Sequence, residues 1–190
     1  MKKNVIIAGL GNPGGEYEQT RHNIGFVAVT AVCDWLGISF TENKKCNEAR
    51  YLSEAVTFYF LKPMEYMNLS GNCIARAMKQ HAVQIQDVMV VHDEIDIGFA
   101  DIRNKVAGGH AGHNGLRDII DKTGSRDFHR LRIGVGRPQH PGFSVADYVL
   151  SRFHAGEQEQ MPGVLKETTA KILDWMSHKD PAIRKRINLP

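Results

Sequence analysis

Apolar positions along the chain alternate between short unbroken runs and helical stripes. Val5–Leu10 is a six-residue apolar run that meets Gly-Asn-Pro-Gly-Gly, the pattern of a buried strand ended by a turn. Ile24, Val27, Ala28, Ala31, Val32, Trp35 and Leu36 then fall on one helical stripe, which Gly37 stops. Thr57–Leu61 and Val88–His92 predict further strands, with a helix from about Leu69 to His81 between them. Ile102–Lys105 and Leu131–Val135 have strand character, Asn114–Lys122 suits a short helix, and Glu157–His178 a long one. Such alternation predicts an α/β fold, helices layered on a sheet. No internal repeat, low-complexity stretch or linker divides the chain, so residues 1–190 read as one domain. Arg137–Ser144, with Pro138, Pro141 and Gly142, is the expected mobile loop.

Composition agrees. The 190 residues carry 24 Lys+Arg against 21 Asp+Glu, with 42% apolar and 24% charged content, an ordinary soluble chain. At this length roughly 70% of the unfolded surface can be buried, so neither disulfide nor metal is needed to hold the fold. Cys33, Cys46 and Cys73 are odd in number, far apart in sequence and form no C-x-x-C pair, which points to a reducing cytoplasm. Met1-Lys2-Lys3-Asn4 before the first apolar run imitates a signal peptide, but that run is short and meets no small-residue cleavage site; a first strand is expected instead. No run approaches the roughly 18 apolar residues of a membrane span, so no membrane partner is expected.

The net charge of +3 changes the picture only once it is located. Between Ala100 and His140 lie eight basic residues against four acidic ones, so the rest of the chain is nearly neutral. His110, His113, His129 and His140 share the stretch, and Arg184-Lys185-Arg186 forms a second cluster in the tail beyond the long helix, residues 179–190. Charge alone fits a solvated surface; with the histidines it suggests a site that meets anions.

Gly9-Leu10-Gly11-Asn12-Pro13-Gly14 matches G-x-G-x-x-G after a strand. A dinucleotide site would need a helix to open inside the motif and face the pyrophosphate. Here Pro13-Gly14-Gly15 continues as loop, the helix begins only near His22, and Asp34 lies inside the helical stripe rather than after a second strand. The turn is better read as presenting Asn12 beyond the first strand.

Sites in open α/β sheets form beyond the carboxyl ends of strands. The polar residues at such junctions are Asn12, His22, Asn68, Asp93 and the His113-Asn114 pair. Each alone has a structural reading: Asn12 as a turn former, Asn68 and Asn114 as helix N-caps, His22 as a capping histidine. Together they offer chemistry. An aspartate that accepts the imidazole N–H fixes the tautomer and raises basicity, so His22 with Asp93 suits general-base work. With no G-x-S-x-G and no cysteine beside a histidine, water is the expected nucleophile. Asparagines are neutral donor-acceptors for an amide or an oxyanion, and the oxyanion donor is Asn12 or Asn68. His110-x-x-His113 raises a zinc site, but its glycine-rich surroundings are not helical and no third ligand follows, so no metal is expected. A glycine-rich segment opening a helix, with Lys105 and Arg132 nearby, better fits a phosphate or nucleic-acid backbone.

The blocks Gly9–Gly14 with Tyr17, Thr20-Arg21-His22-Asn23, Lys62-Pro63, Met67-Asn68-Leu69-Ser70-Gly71, His92-Asp93-Glu94-Ile95-Asp96, Gly108-Gly109-His110, Gly112-His113-Asn114-Gly115-Leu116 and Phe128–Gly134 resemble, in order, the bacterial-type peptidyl-tRNA hydrolase family. The resemblance implies a monomeric single domain with a twisted mixed β-sheet flanked by α-helices (a peptidyl-tRNA hydrolase-like, phosphorylase/hydrolase-like fold), working without metal or organic cofactor. It implies cytoplasmic cleavage of the ester in peptidyl-tRNA, with the acceptor stem, 3′ end and 5′-phosphate as the parts contacted. The catalytic histidine falls on His22 and its carboxylate on Asp93. Substrate-binding asparagines fall on Asn12, Asn68 and Asn114, with Tyr17, Met67 and His113 beside them, and the 5′-phosphate clamp on Lys105 and Arg132. Ala111, Tyr66 and Cys46 depart from the family, which usually has glycine, phenylalanine and often an aromatic there. Two rivals remain: an RNA-binding relative that lost hydrolysis, against which intact His22 and Asp93 speak, and a metal hydrolase using His110 and His113.

Overall fold

The computed structural model describes residues 2–186. Six strands, β1 (Lys3–Gly9), β2 (Cys46–Leu52), β3 (Val56–Pro63), β4 (Val88–Glu94), β5 (Ile102–Val106) and β6 (His129–Gly134), form one sheet in the order β2-β3-β1-β4-β6-β5. β1 lies parallel to β3 and β4, and β4 parallel to β6; β2 and β5 run antiparallel on the two edges. The central strands are near-continuous apolar runs because helices cover both of their faces. On one face α1 (Ile24–Leu36) and α5 (Ala155–Lys179) share a core with Val5, Ile7, Phe58 and Val91. On the other, α2 (Ser70–Gln80) and α3 (Asn114–Thr123) pack with Ile6, Ala8, Leu61 and Val90. Successive residues of β1 thus enter opposite cores, as a side-chain period of two requires.

The helices and strands expected from periodicity are all present, with ends displaced by a few residues. Among strands and α-helices three were not expected, β2 and the short helices α4 (Val145–Val149) and α6 (Ala182–Arg186), and neither were the short 3-10 turns. In β2 only Asn47 and Ala49 are buried, so an edge strand of mixed polarity gives no apolar run to read. The tail beyond the long helix is partly structured, since α6 seats Ile183 in the core; residues 187–190 lie outside the described residues. A second correction concerns the cysteines. Cys46 and Cys73, 27 residues apart in sequence, are joined as a disulfide with Cα atoms 5.5 Å apart, and only Cys33 is free, on the buried face of α1. Sequence spacing carries no information about such a pair, because sheet pairing brings the residues together. No helix among the described residues is long and apolar enough to cross a membrane.

One close approach positions everything that follows. A Cβ on Gly25 would sit 2.5 Å from the Leu10 nitrogen and overlap the Val91 carbonyl, and a Cβ on Gly9 would overlap the Gly25 carbonyl. α1 therefore starts with its backbone against the ends of β1 and β4, where Phe26 N–H donates to the Leu10 carbonyl at 3.1 Å. Gly25→Ala meets backbone on every side, so it should cost on the order of 3 kcal/mol. A urea midpoint within error of wild type would show that the helix can slide away instead.

Candidate active site

The turn after β1 is organised by one side chain. Asn23 accepts the Asn12 backbone N–H on Oδ1 (2.8 Å) and donates Nδ2 to the Asn12 carbonyl (2.9 Å). Asn12 is itself buried, and its Oδ1 accepts the Met67 backbone N–H at 2.7 Å. Its amide oxygen thus committed, Asn12 keeps its NH2 as the open donor.

His22 sits in the 3-10 turn Arg21–Asn23 ahead of α1. Its Nδ1 lies 2.9 and 3.0 Å from the two oxygens of Asp93, a buried residue near the end of β4. His113, the N-cap of α3, brings its Nε2 to 3.0 Å from Asp93 Oδ1, while its Nδ1 accepts the Leu116 N–H at 3.4 Å. A nitrogen that accepts from a backbone N–H carries no proton in a neutral ring, so Nε2 carries it and donates to Asp93. His22 likewise donates from Nδ1, which leaves Nε2 with its lone pair free. Burial alone would push the Asp93 carboxyl up, but the two imidazoles hold it well below the ordinary carboxylate value. For His22 burial pulls down, and the charge and hydrogen bond of Asp93 outweigh it, so the imidazole ends above its ordinary 6.5. His92 is different. Burial, followed by the neighbouring His113, drives it down to about 3, so it stays neutral, with Nδ1 on the Asp93 carbonyl and Nε2 unpartnered.

Met67 and Asn68 lie in a second 3-10 turn, Met67–Leu69, directly before α2. A Cβ on Gly115 would come within 2.7 Å of Met67 Sδ, so glycine there lets the start of α3 close on this turn. Asn68 and Asn114 therefore stand on adjoining segments. Neither caps a helix: the N-caps are Leu69 and His113. Both are exposed, and neither side chain has an intramolecular hydrogen-bond partner among the described residues, so both amides are free for a ligand. The Tyr17 ring lies 6.5 Å from that of Tyr66, just before the Met67–Leu69 turn, in an edge-on arrangement. A cavity of about 320 Å³ is lined by His22, His92, Asp93, His113, Asn114 and Val149, among others; Asn12, Tyr17, Met67 and Asn68 do not line it.

Lys105 and Arg132 are not in this cluster. They sit on the antiparallel β5–β6 pair, where Arg103 faces Arg132 and Lys105 faces Arg130, all four on one face. Lys105 is exposed; Arg132 is half-buried, 3.8 Å from Glu94. His110 does not join His113 either, since its Nδ1 accepts the Gly112 N–H. Among the described residues the group with metal-like spacing is His22, Asp93 and His113, whose ligand atoms lie within 4.8 Å. The nitrogen–oxygen distances there are those of charge-assisted hydrogen bonds, with the protons already assigned above.

Sequence inspection missed the residues that hold this site. Arg21 is fully buried; its guanidinium donates to the Ser151 hydroxyl, the Arg152 carbonyl and Glu157 Oε2, and packs over the Tyr148 ring. It ties the His22 turn to the start of α5. Only its adjacency to His22 in the sequence hinted at that.

With the geometry in hand, comparison with known proteins is direct. The family model described as peptidyl-tRNA hydrolase matches residues 6–189. A peptidyl-tRNA hydrolase of Syntrophotalea carbinolica is 43% identical over 175 residues, covering 92% of this chain and 91% of the relative. One from Sorangium cellulosum is 45% identical over 173 residues, covering 90% and 77%. The crystal structure of peptidyl-tRNA hydrolase from Acinetobacter baumannii superposes with a TM-score of 0.83 at 36% identity, covering 97% of this chain and 94% of that one.

The electrostatics here can be checked without any substrate. In Asp93→Asn the charge that holds His22 up is gone, so the His22 titration midpoint followed by NMR should fall. An unchanged midpoint would detach His22 from Asp93.

Proposed function

The chain belongs to the peptidyl-tRNA hydrolase family, and from that premise and the site's geometry we propose that it hydrolyses the ester between peptide and tRNA, with His22 as general base and water as nucleophile. The observation that carries this is the His22 Nδ1–Asp93 hydrogen bond, which leaves Nε2 unprotonated in a cavity that Asn114 also lines. Water gives its proton to Nε2 as its oxygen attacks the ester carbonyl. The resulting oxyanion is met by the Asn12 NH2, the group left to donate once its Oδ1 has accepted the Met67 N–H. Collapse expels the ribose oxygen, which takes the proton back from the His22 imidazolium and leaves as a hydroxyl; Asp93 stabilises that cation throughout. The products are free tRNA, available again for translation, and a free peptide.

Selectivity rests on Asn68 and Asn114. They hold the first peptide bond, a group an unblocked aminoacyl-tRNA lacks, and an amide site left unpaired discriminates strongly. Met67 and Tyr17 flank that bond. His113 serves through Asp93, because both of its ring nitrogens are engaged. Lys105 and Arg132 grip the 5′-phosphate at the acceptor stem, and residues 137–144, joined to the body by Arg137–Asp96, form a mobile loop at the rim. The protein works as a cytoplasmic monomer without metal or organic cofactor.

Turnover of peptidyl-tRNA against unblocked aminoacyl-tRNA tests reaction and selectivity together; equal rates would remove the asparagine pair from selection. His22→Ala should lose at least about a hundredfold in kcat, and near-normal turnover would dismiss it as the base. Because the raised pKa of His22 must be exceeded for the base to be free, kcat/KM should rise with pH through a midpoint above 6.5. Full activity after chelation is expected, and its loss would favour a metal hydrolase. Lys105→Ala should reduce the slope of log affinity for tRNA against log salt by about 1; an unchanged slope would discard the clamp.

A further inference from the structure

Away from the His22–Asp93 centre, the disulfide between Cys46 and Cys73 occupies a position with mechanical consequences. Cys46 opens β2 and pairs in register with Pro63, the last residue of β3. Cys73 is in the first turns of α2. The chain between Pro63 and Cys73 carries Met67 and Asn68, and the Met64 N–H donates to the Lys45 carbonyl at 3.0 Å beside Cys46. β-pairing therefore fastens one end of that segment to Cys46, and the sulfur–sulfur bond fastens the other end to the same residue. A single residue closes the ring.

The surroundings suit thiol exchange. Cys73 is buried, while Cys46 is half-exposed, and both line a cleft of about 720 Å³. Arg50 and Arg76 also line it, exposed and without an ion-pair partner among the described residues, with Glu42 as the facing acid; the other acid, Glu48, is bound to His81 at 2.9 Å. Arg76 stands one helical turn from Cys73 on α2, and a cation so close to a thiol favours its thiolate and attracts anionic reagents. Cys33, by contrast, is buried, and burial pushes its thiol up to about 12, which keeps it inert.

We propose that Cys46 and Cys73 form a reversible dithiol–disulfide site for small anionic disulfides, and that its oxidation clips the segment bearing Met67 and Asn68. The Cys46 thiolate, having lost its proton to solvent, attacks one sulfur of the small disulfide and releases the other half as a thiolate. The Cys73 thiolate then attacks Cys46 Sγ, forms the internal bond and expels the second half. Two protein thiols are oxidised by two electrons, and one small disulfide is reduced to two thiols. A reducing pool runs the same steps backwards. Any effect on substrate affinity rests on the role proposed for Asn68; the thiol chemistry and the clip do not.

The test equilibrates the whole protein in oxidised or in reduced glutathione, quenches with acid, denatures and counts thiols. All three cysteines should titrate from the reduced buffer and Cys33 alone from the oxidised one. The same count from both would overturn the proposal, whether because no bond forms or because the bond is permanent. Hydrogen exchange of the amides at 64–72 should be slower in the oxidised protein, and equal exchange would overturn the clip. Cys46→Ser, at the half-exposed position, and Cys73→Ala should each abolish the response to buffer; exchange that still responds to glutathione in both would place the effect elsewhere. KM for peptidyl-tRNA, measured in both states, separates the two layers. Redox-dependent exchange with an unchanged KM would count against the Asn68 assignment and leave the clip standing.

Discussion

An ionised carboxylate out of water is costly unless charge-assisted donors replace its hydration. Asp93 is such a group, buried near the end of the central strand, and its donors come from opposite sides of the sheet. His22 arrives from the connection between β1 and α1, His113 from the start of α3. Each is held in one tautomer by the same requirement, since a ring that failed to donate would leave Asp93 short of a partner. The free Nε2 of His22 thus follows from satisfying a buried charge. So does the fixed position of α3, and with it the place of Asn114.

Two glycines make that convergence sterically possible. Gly25 lets the helix backbone touch the strand ends, which shortens the reach from the His22 turn to Asp93; Gly115 lets Met67 enter under α3, which brings the turn that carries Asn68 beside the start of α3. The polar clamps then remove the remaining freedom. Asn23 fixes the Asn12 backbone from two sides, and Arg21 fixes the residue before His22 through three acceptors on the α4–α5 junction. The site is consequently rigid where chemistry is proposed and open where a peptide would lie.

These supports also explain what was legible in the sequence. Val5–Leu10, Val88–His92 and the α1 stripe announce themselves because burial on two faces, or on one helical face, imposes a period. The junction residues follow because strand ends are known once strands are. β2 stays hidden, since Glu48, Arg50 and Tyr51 in an edge strand resemble any solvated loop. Arg21 hides for another reason: a buried arginine looks in sequence like a surface charge until its acceptors, more than a hundred residues away along the chain, are in place. The cysteine pair is invisible in the same sense. Its partners meet only because β3 returns beside β2 and leads into α2.

The basic excess between residues 100 and 140 needs the same treatment, because a charge count is not a count of available cations. Arg130 is buried and spends its guanidinium on the carbonyls of Gly108 and Gly109, shaping the loop that leads to His113. Arg103 is paired with Asp101, and Arg137 with Asp96. On the β5–β6 face that leaves Lys105 exposed and Arg132 only loosely opposed by Glu94 at 3.8 Å. A phosphate approaching this strand pair would therefore meet two usable cations out of four, on neighbouring strands and offset by two residues. For the role proposed above, two cations so placed can hold a single phosphate from two sides, whereas a run of backbone phosphates would need a longer line of free cations than this face offers.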